Sequence, residues 1–183
     1  MKDRVKKARP TLRLAGLLLP ALLMFSALPF AGALAQEHTY TSPKVDYVVS
    51  LPSPVWRLVG EPDEIHQHTE FIYGDRFDGY LRIRKEALPD GTTVRDFGLQ
   101  DQDQRERYLP GYINGKEEKF IGRLNGSTIS YEYTAAGKPM AGRSYYLQAD
   151  DHTVYVLRFT GLRDKLLRIR NQTDLIARSF KLK

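Results

Sequence analysis

A run of apolar side chains near the C-terminus sets the strongest limit on the fold. In residues 154–159, every side chain except that of Arg158 is aliphatic or aromatic. A strand with one solvent-facing side alternates polar and apolar residues, whereas a strand covered on both sides does not. The run therefore predicts a central strand beneath a helix layer. After Gly161, one helical stripe predicts a single C-terminal helix, because its members recur at spacings of four and three: Leu162, Leu166, Ile169, Thr173, Ile176 and Phe180.

Strand-like segments dominate the chain upstream of this run. Short stretches rich in β-branched and aromatic residues are separated by Gly, Pro, Asn and Asp, which is typical of strands joined by turns. A second helix is predicted over residues 94–108, with Thr93 as its N-cap and so few apolar residues that we expect it at the sheet's margin. The predicted fold class is α+β, an antiparallel β-sheet with helices packed on it. Its strands are predicted at residues 45–51, 55–59, 69–73, 80–85, 119–124, 128–134, 142–148 and 153–160.

The first 35 residues have the organisation of a secretion signal. A basic start is followed by an apolar run over residues 14–28 and by Ala33-Leu34-Ala35, which places small residues where a signal peptidase reads them. The prediction is cleavage near Ala35 and Gln36 and a periplasmic or extracellular bacterial protein. The alternative is an uncleaved anchor, since residues 14–35 are long enough to span a bilayer. We expect a signal peptide at 1–35, a flexible lead-in at 36–43 and a single domain at 44–183.

The export signal also changes how the charge of the chain is interpreted. The whole sequence has 28 basic and 22 acidic residues, a formal net charge of +6, but six basic residues and one acidic residue lie in 1–35. The remainder is nearly neutral, which argues against nucleic acid as a partner. Membrane contact is expected only through the signal before cleavage. The chain contains no cysteine, which excludes disulfides, thiol catalysis and cysteine-bound metal.

Two stretches of the sequence resemble a known family. Residues 47–56, Tyr-Val-Val-Ser-Leu-Pro-Ser-Pro-Val-Trp, are similar to the first strand, proline and tryptophan of PsbP-like domains. Residues 175–181, Leu-Ile-Ala-Arg-Ser-Phe-Lys, are similar to their last helix, which runs into Ser-Phe. PsbP-like domains share a fold with the Ran-release factor of the nucleus and with several bacterial exported proteins. The resemblance implies a PsbP-like α/β/α sandwich over most of residues 44–182 and a non-enzymatic domain that docks onto a larger complex. It carries over no functional residue.

Residue patterns typical of catalysis are missing from the sequence. There is no nucleophile elbow and no phosphate-binding loop of the Walker type. The alternative function is a small periplasmic hydrolase or metal-dependent enzyme that uses His66 and His68, whose imidazoles point to one side if the segment is extended. A third ligand with a defined position is missing, so the sequence predicts neither a metal nor a cofactor.

The best candidate for a ligand-binding surface combines one tyrosine and three arginines. Alternation along a strand places Tyr80, Arg82 and Arg84 on one face, and Arg158 interrupts the apolar strand, where an unpaired charge is costly. The alternative is that these arginines only form cross-strand ion pairs, for example with Glu118 or Glu132. The sequence thus predicts an exported, non-catalytic binding or assembly module of the bacterial cell envelope. Its expected partner is a cell-envelope protein or a small anionic ligand.

Overall fold

The computed structural model describes residues 38–183, so the predicted signal peptide and the first two residues of the predicted lead-in lie outside the described part. The helices are α1 Val94–Arg105, α2 Arg163–Arg168 and α3 Arg170–Ser179. The strands are β1 His38–Tyr40, β2 Tyr47–Leu51, β3 Trp56–Gly60, β4 His68–Tyr73, β5 Asp75–Ala87, β6 Ile113–Phe120, β7 Gly126–Ala135, β8 Lys138–Gln148, β9 Thr153–Leu162 and β10 Lys181–Leu182.

Seven of these strands form one antiparallel sheet in the order β3-β4-β5-β9-β8-β7-β6. The apolar strand β9 is the fourth of the seven, so its predicted central position is confirmed. Successive side chains of β9 pack on opposite faces of the sheet, which explains why the sequence does not alternate. The predicted α+β class, with helices packed on an antiparallel sheet, is confirmed.

The two faces of the sheet are covered very differently. On one face, α2, α3 and β2 enclose the main apolar core, which includes the fully buried side chains of Phe159, Ile176 and Phe180. On the other face, α1 covers a much smaller apolar cluster around Tyr146 and Val156. The α1 face is therefore the face on which polar groups meet between helix and sheet.

The C-terminal apolar stripe belongs to two helices rather than to one. The helical backbone is interrupted at Ile169, which ends α2 and precedes α3. Ile169 packs so closely on Gly79 of β5 that a Cβ atom at Gly79 would come within 2.8 Å of its Cδ1. Leu166 and Ile176 are buried on either side of the interruption. The stripe keeps its helical spacing across the break because both helices bury the same side against the sheet.

Two other elements differ from the sequence-based prediction. The strand predicted at 119–124 is β6, which begins at Ile113 and ends at Phe120. It lies at the sheet edge with nearly every residue exposed, so it lacks the alternation by which a half-buried strand is recognised. Helix α1 ends at Arg105 rather than at residue 108, and it lies over the sheet interior instead of its margin.

A second, small sheet joins the two ends of the described chain. It has the order β1-β2-β10, so residues 38–40 of the predicted flexible lead-in form a paired strand. Tyr40 holds that strand in place, because its ring packs edge-on against Phe71 and its hydroxyl donates a hydrogen bond to Glu61. At the other end, the Lys183 ammonium donates to the carbonyls of Ser42 and Val45, each at 2.7 Å.

Candidate functional site

The sheet brings the four predicted ligand-binding residues together on the α1 face. Arg82 of β5 lies directly opposite Arg158 of β9, and Tyr80 and Arg84 flank it along β5. Three arginine side chains so close together need negatively charged partners. These partners come from α1 and the residue that follows it, from β4 and from Glu86 of β5. They are not Glu118 and Glu132, whose arginine partners lie elsewhere.

Asp101 of α1 is the centre of a buried ion-pair cluster. Its carboxylate accepts hydrogen bonds from Arg84 at 2.5 and 2.6 Å, from Arg158 at 3.0 Å and from the Tyr146 hydroxyl at 3.0 Å. Arg105, one turn further along α1, adds a fourth donor at 2.8 Å. Burial alone would raise the pKa of Asp101, but Arg84 and Arg158 outweigh that effect and hold it below its usual value. Asp101 is therefore ionised and ties α1 to β5, β8 and β9.

Glu106, just after α1, is a second buried carboxyl in the same cluster. Its Oε1 is 2.5 Å from the Arg158 guanidinium, whereas its Oε2 has no hydrogen-bond partner among the described residues. Burial raises the pKa of Glu106 to about 7, because the attraction of Arg158 is weaker than the combined effect of desolvation and the neighbouring Asp101. The two carboxyls thus differ in charge state near neutral pH, although they share one arginine.

The outer part of the cluster is centred on Glu70 of β4. Its carboxylate accepts from the Tyr80 hydroxyl and from two nitrogens of Arg82, at 3.2 and 3.0 Å, and it lies 3.0 Å from His68 Nε2. Burial would raise the pKa of Glu70, but the hydrogen bonds from Tyr80 and Arg82 lower it overall. The Arg82 side chain remains 39% exposed, so this guanidinium is both anchored and accessible from solvent.

The arginines of this face form a basic pocket, defined here by the four arginines on its wall. Its volume is about 280 Å³, and Glu86 is the one carboxylate on its wall. Its cationic side chains are Arg82, Arg84, Arg105 and Arg158, whereas the Lys85 ammonium lies on the opposite face of the sheet, 2.6 Å from the Asp46 carboxylate. A neighbouring pocket of about 300 Å³ shares His68 and Arg82 with it. The three sequence-predicted arginines therefore line one cavity, and they are joined there by Arg105 of α1, which no sequence pattern indicated.

The two histidines of the alternative enzymatic hypothesis lie at the rim of that neighbouring pocket. Their ring centres are 5.7 Å apart, and each ring contacts a carboxylate, His66 that of Asp63 and His68 that of Glu70. His66 precedes β4 and is in a loop, so the two imidazoles are not held in one extended segment. Within residues 38–183, no group of three or more His, Asp or Glu side chains has the geometry of a metal site.

A further pocket, which sequence reasoning missed, lies on the opposite face between β6–β8 and the two C-terminal helices. We call it the α2–α3 pocket. Its volume is about 340 Å³, its wall is mainly apolar, and Arg143, Arg163 and Arg170 surround it. Arg163 and Arg170 come from the polar side of the predicted C-terminal helix, where exposed basic residues carry no sequence signal of a site. On the α1 face, a more open groove of about 590 Å³ lies between α1 and Tyr112. We call it the α1 groove.

Comparison with known proteins identifies the fold. The sequence matches no protein-family model and no curated protein. Solved structures do match. LpqN of Mycobacterium tuberculosis, described as involved in cell envelope biogenesis, superposes with a TM-score of 0.55 at 18% identity, covering 81% of this chain and 91% of LpqN.

Two further structures extend the comparison beyond that protein. The cyanobacterial PsbP protein CyanoP of Synechocystis sp. PCC 6803 superposes with a TM-score of 0.60 at 13% identity, covering 87% of this chain and 99% of CyanoP. Mog1 superposes with a TM-score of 0.59 at 9% identity, covering 80% of this chain and 95% of Mog1. At these identities the likeness concerns the fold and not the activity. The fold is thus the PsbP-like α/β sandwich, which Mog1 shares.

Proposed function

We propose that this protein is an exported, non-catalytic binding module of the cell envelope, and that it holds an anionic ligand in the basic pocket. The observation that carries the proposal is the convergence of four arginine side chains on one cavity whose wall has a single carboxylate. Perturbed ionisable groups clustered in a cleft are a physical indication of a functional site. The envelope location rests on the predicted signal peptide, and LpqN, which has the same fold, is described in connection with the cell envelope.

The guanidinium groups have hydrogen-bonding capacity to spare for a ligand. Each guanidinium presents five N–H donors, which is more than the carboxylates paired with Arg82 and Arg105 occupy. Asp101 and Glu106 lie behind Arg84 and Arg158 and fix their positions, while Arg82 and Arg105 are at least one-third exposed. A planar arginine fork matches a carboxylate or phosphate group in a two-bond arrangement. The pocket is thus preorganised at its base and open at its rim.

The test uses inorganic phosphate as the probe and the exposed rim arginines as the perturbation. We expect phosphate to shift the NMR signals of the Arg82 and Arg105 Nε–H groups, with an affinity that decreases at higher ionic strength. An Arg82→Gln/Arg105→Gln double variant should bind phosphate about tenfold more weakly or worse, a loss of about 1.4 kcal/mol. Arg95→Gln is the matched control, because Arg95 is also exposed and paired with a carboxylate but lies outside the pocket. Equal phosphate binding by both variants and the unchanged protein would refute the proposal.

Location is tested separately. Mass spectrometry of the protein recovered from its native envelope fraction should give a chain that begins at Gln36. Recovery of a membrane-bound chain that retains residues 1–35 would instead support the anchor.

A further inference from the structure

The outer edge of β6 offers backbone hydrogen-bonding groups. This strand is the last in the seven-stranded sheet, so its outer edge has no strand neighbour within residues 38–183. Proteins usually protect such edges with charged side chains. The second half of β6 has that protection, in the run Lys116-Glu117-Glu118-Lys119. The segment 112–115 has no charged residue, and its Ile113 side chain is 61% exposed.

The same uncharged segment borders a pocket on each face of the sheet. Ile113, Asn114 and Gly115 contribute to the α2–α3 pocket. Tyr112 and Asn114 contribute to the α1 groove. Side chains of an extended peptide alternate between the two faces of the sheet that it joins. A peptide paired with this segment would therefore direct successive side chains into the two pockets in turn.

The chemistry of the α2–α3 pocket indicates which side chains fit on that face. The pocket is mainly apolar, which suits one aliphatic or aromatic side chain, and its volume is at the small end for ligand pockets. Arg163 and Arg170 at its rim are about half exposed, and the carboxylates that pair with them, Glu132 and Glu118, are more than 40% exposed. Exposed pairs of this kind contribute little and exchange partners readily. An incoming carboxylate two positions from the apolar residue would lie on the same face as these arginines.

The α1 groove suits a polar side chain on the opposite face. Its wall carries the amides of Gln100, Gln102, Gln104 and Asn114. Gln102 is buried, and neither polar atom of its side chain has a hydrogen-bond partner among the described residues. Buried amides are normally paired, so this groove has unused donors and acceptors at its base.

The other edge strand, β3, provides an internal comparison. It is also free on one side among the described residues and exposes apolar side chains, including Leu58 at 42%. However, β3 has only five residues, and its register shift between Leu58 and Gly60 has a counterpart in β6 between Asn114 and Glu117. Of its residues, only Gly60 lines any of the pockets described above. The combination of a free edge with a pocket on each face is thus found at β6 and not at β3.

We propose that the 112–115 segment binds an extended peptide of a protein partner, which adds a strand to β6. In this peptide an apolar residue and a residue with a carboxylate side chain stand two positions apart, in either order. Recognition by strand addition takes affinity from main-chain hydrogen bonds and specificity from alternate side chains. This site is on the far edge of the sheet from the basic pocket and does not depend on the anionic ligand proposed there.

The first test is a synthetic array of octapeptides in which Leu, Ile, Val or Phe stands two positions from Asp or Glu. We expect fluorescence anisotropy to detect binding by members of this array. Peptides of the same composition with the two residues adjacent should bind about tenfold more weakly, because the two side chains then point to opposite faces. Backbone N-methylation at alternate residues should remove binding, since it eliminates the main-chain donors. Equal affinity of the N-methylated peptide would overturn the proposal.

The second test uses two variants with matched controls. Ile113→Lys and Arg170→Glu should each weaken binding of the best peptide by about tenfold. The control for the first is Leu58→Lys, an equivalent exposed change on the opposite edge strand. The control for the second is Arg168→Glu, which is exposed and outside the pocket. Both targets are more than half exposed, and thermal melts should show all four variants folded.

Three results would overturn the proposal. One is failure of every array peptide to bind the unchanged protein, and a second is loss of binding in Leu58→Lys but not in Ile113→Lys. The third is concentration-dependent self-association that Ile113→Lys abolishes, which would assign the edge to a second copy of the chain. In none of these outcomes does the phosphate response of the basic pocket change.

Discussion

Glu106 offers a direct test of the buried polar cluster through the substitution Glu106→Gln. The glutamine keeps the shape of the side chain and reproduces its neutral form, in which an oxygen still accepts from Arg158. Glu106 is 2% exposed, so solvent screens its interactions little. The substitution therefore removes a proton-binding site from the folded protein without opening a cavity.

The size of the effect follows from the shifted pKa. Burial raises the pKa of Glu106 from its usual 4.5 to about 7. Each tenfold change in proton affinity is worth about 1.4 kcal/mol, so the whole difference corresponds to about 3 kcal/mol. Between these two pKa values the folded protein binds more protons than the unfolded chain. Stability must therefore decrease as the pH rises from about 4.5 to above 7, and the glutamine variant lacks this decrease.

The measurement is urea unfolding at pH 4.5, 6 and 8, followed by the fluorescence of Trp56, the only tryptophan, which is buried. We expect Glu106→Gln to match the unchanged protein at pH 4.5 and to be more stable by up to about 3 kcal/mol at pH 8. Glu132→Gln, an exposed carboxyl on β7, serves as the control. A Glu106→Gln variant that is less stable than the unchanged protein at pH 8 would show that Arg158 stabilises the ionised form of Glu106 and that folding does not raise its pKa, contrary to this reasoning.

Two further substitutions examine how α1 is held on the sheet. Gly98→Ala should destabilise the protein by about 1 kcal/mol or more, because the new Cβ would lie 2.9 Å from the buried ring of Tyr146. This steric cost outweighs the better helix propensity of alanine. A gain in stability in urea unfolding would contradict the prediction. Asp101→Asn should cost about 3 kcal/mol, because Arg84 and Arg158 would lose their shared buried carboxylate; a loss below about 1 kcal/mol, measured in the same way, would mean that the cluster contributes little.

The parts of the fold that follow from apolar patterning were predictable from the sequence. The central position of β9 follows from its continuous apolar run, and Leu166 and Ile176 face the sheet because they belong to one helical stripe. The interruption at Ile169 could not be predicted from that stripe, since both helices bury the same side. Strand β6 was misplaced because an exposed, charged edge strand needs no alternation. Its pairing is set by the partner β7 and not by its own side chains.

Of the candidate site, the sequence predicted the residues on the strands but not their acidic partners. The four side chains on β5 and β9 follow from strand alternation and from the cost of an unpaired charge at Arg158. Their partners, Asp101 and Glu106, lie in a segment whose acidic residues look solvated when only the sequence is considered. One signal was available, because a helix with a thin apolar face cannot cover a sheet unless its polar residues pair beneath it. Arg158 in an apolar strand needs a buried acid, and α1 supplies it.

The unequal covering of the two sheet faces has a consequence for motion. Helix α3 packs against a large core rich in aromatic side chains, whereas α1 is held on the sheet mainly by ion pairs. These ion pairs weaken when water reaches them. Local opening starts where few apolar contacts must be broken. Amide hydrogens of α1 should therefore exchange with heavy water earlier than those of α3, and a lifetime order opposite to this would refute the inference. A ligand that binds beside Arg84 and Arg158 contacts the residues that hold α1 on the sheet. Its first measurable effect should therefore be slower amide hydrogen exchange in α1.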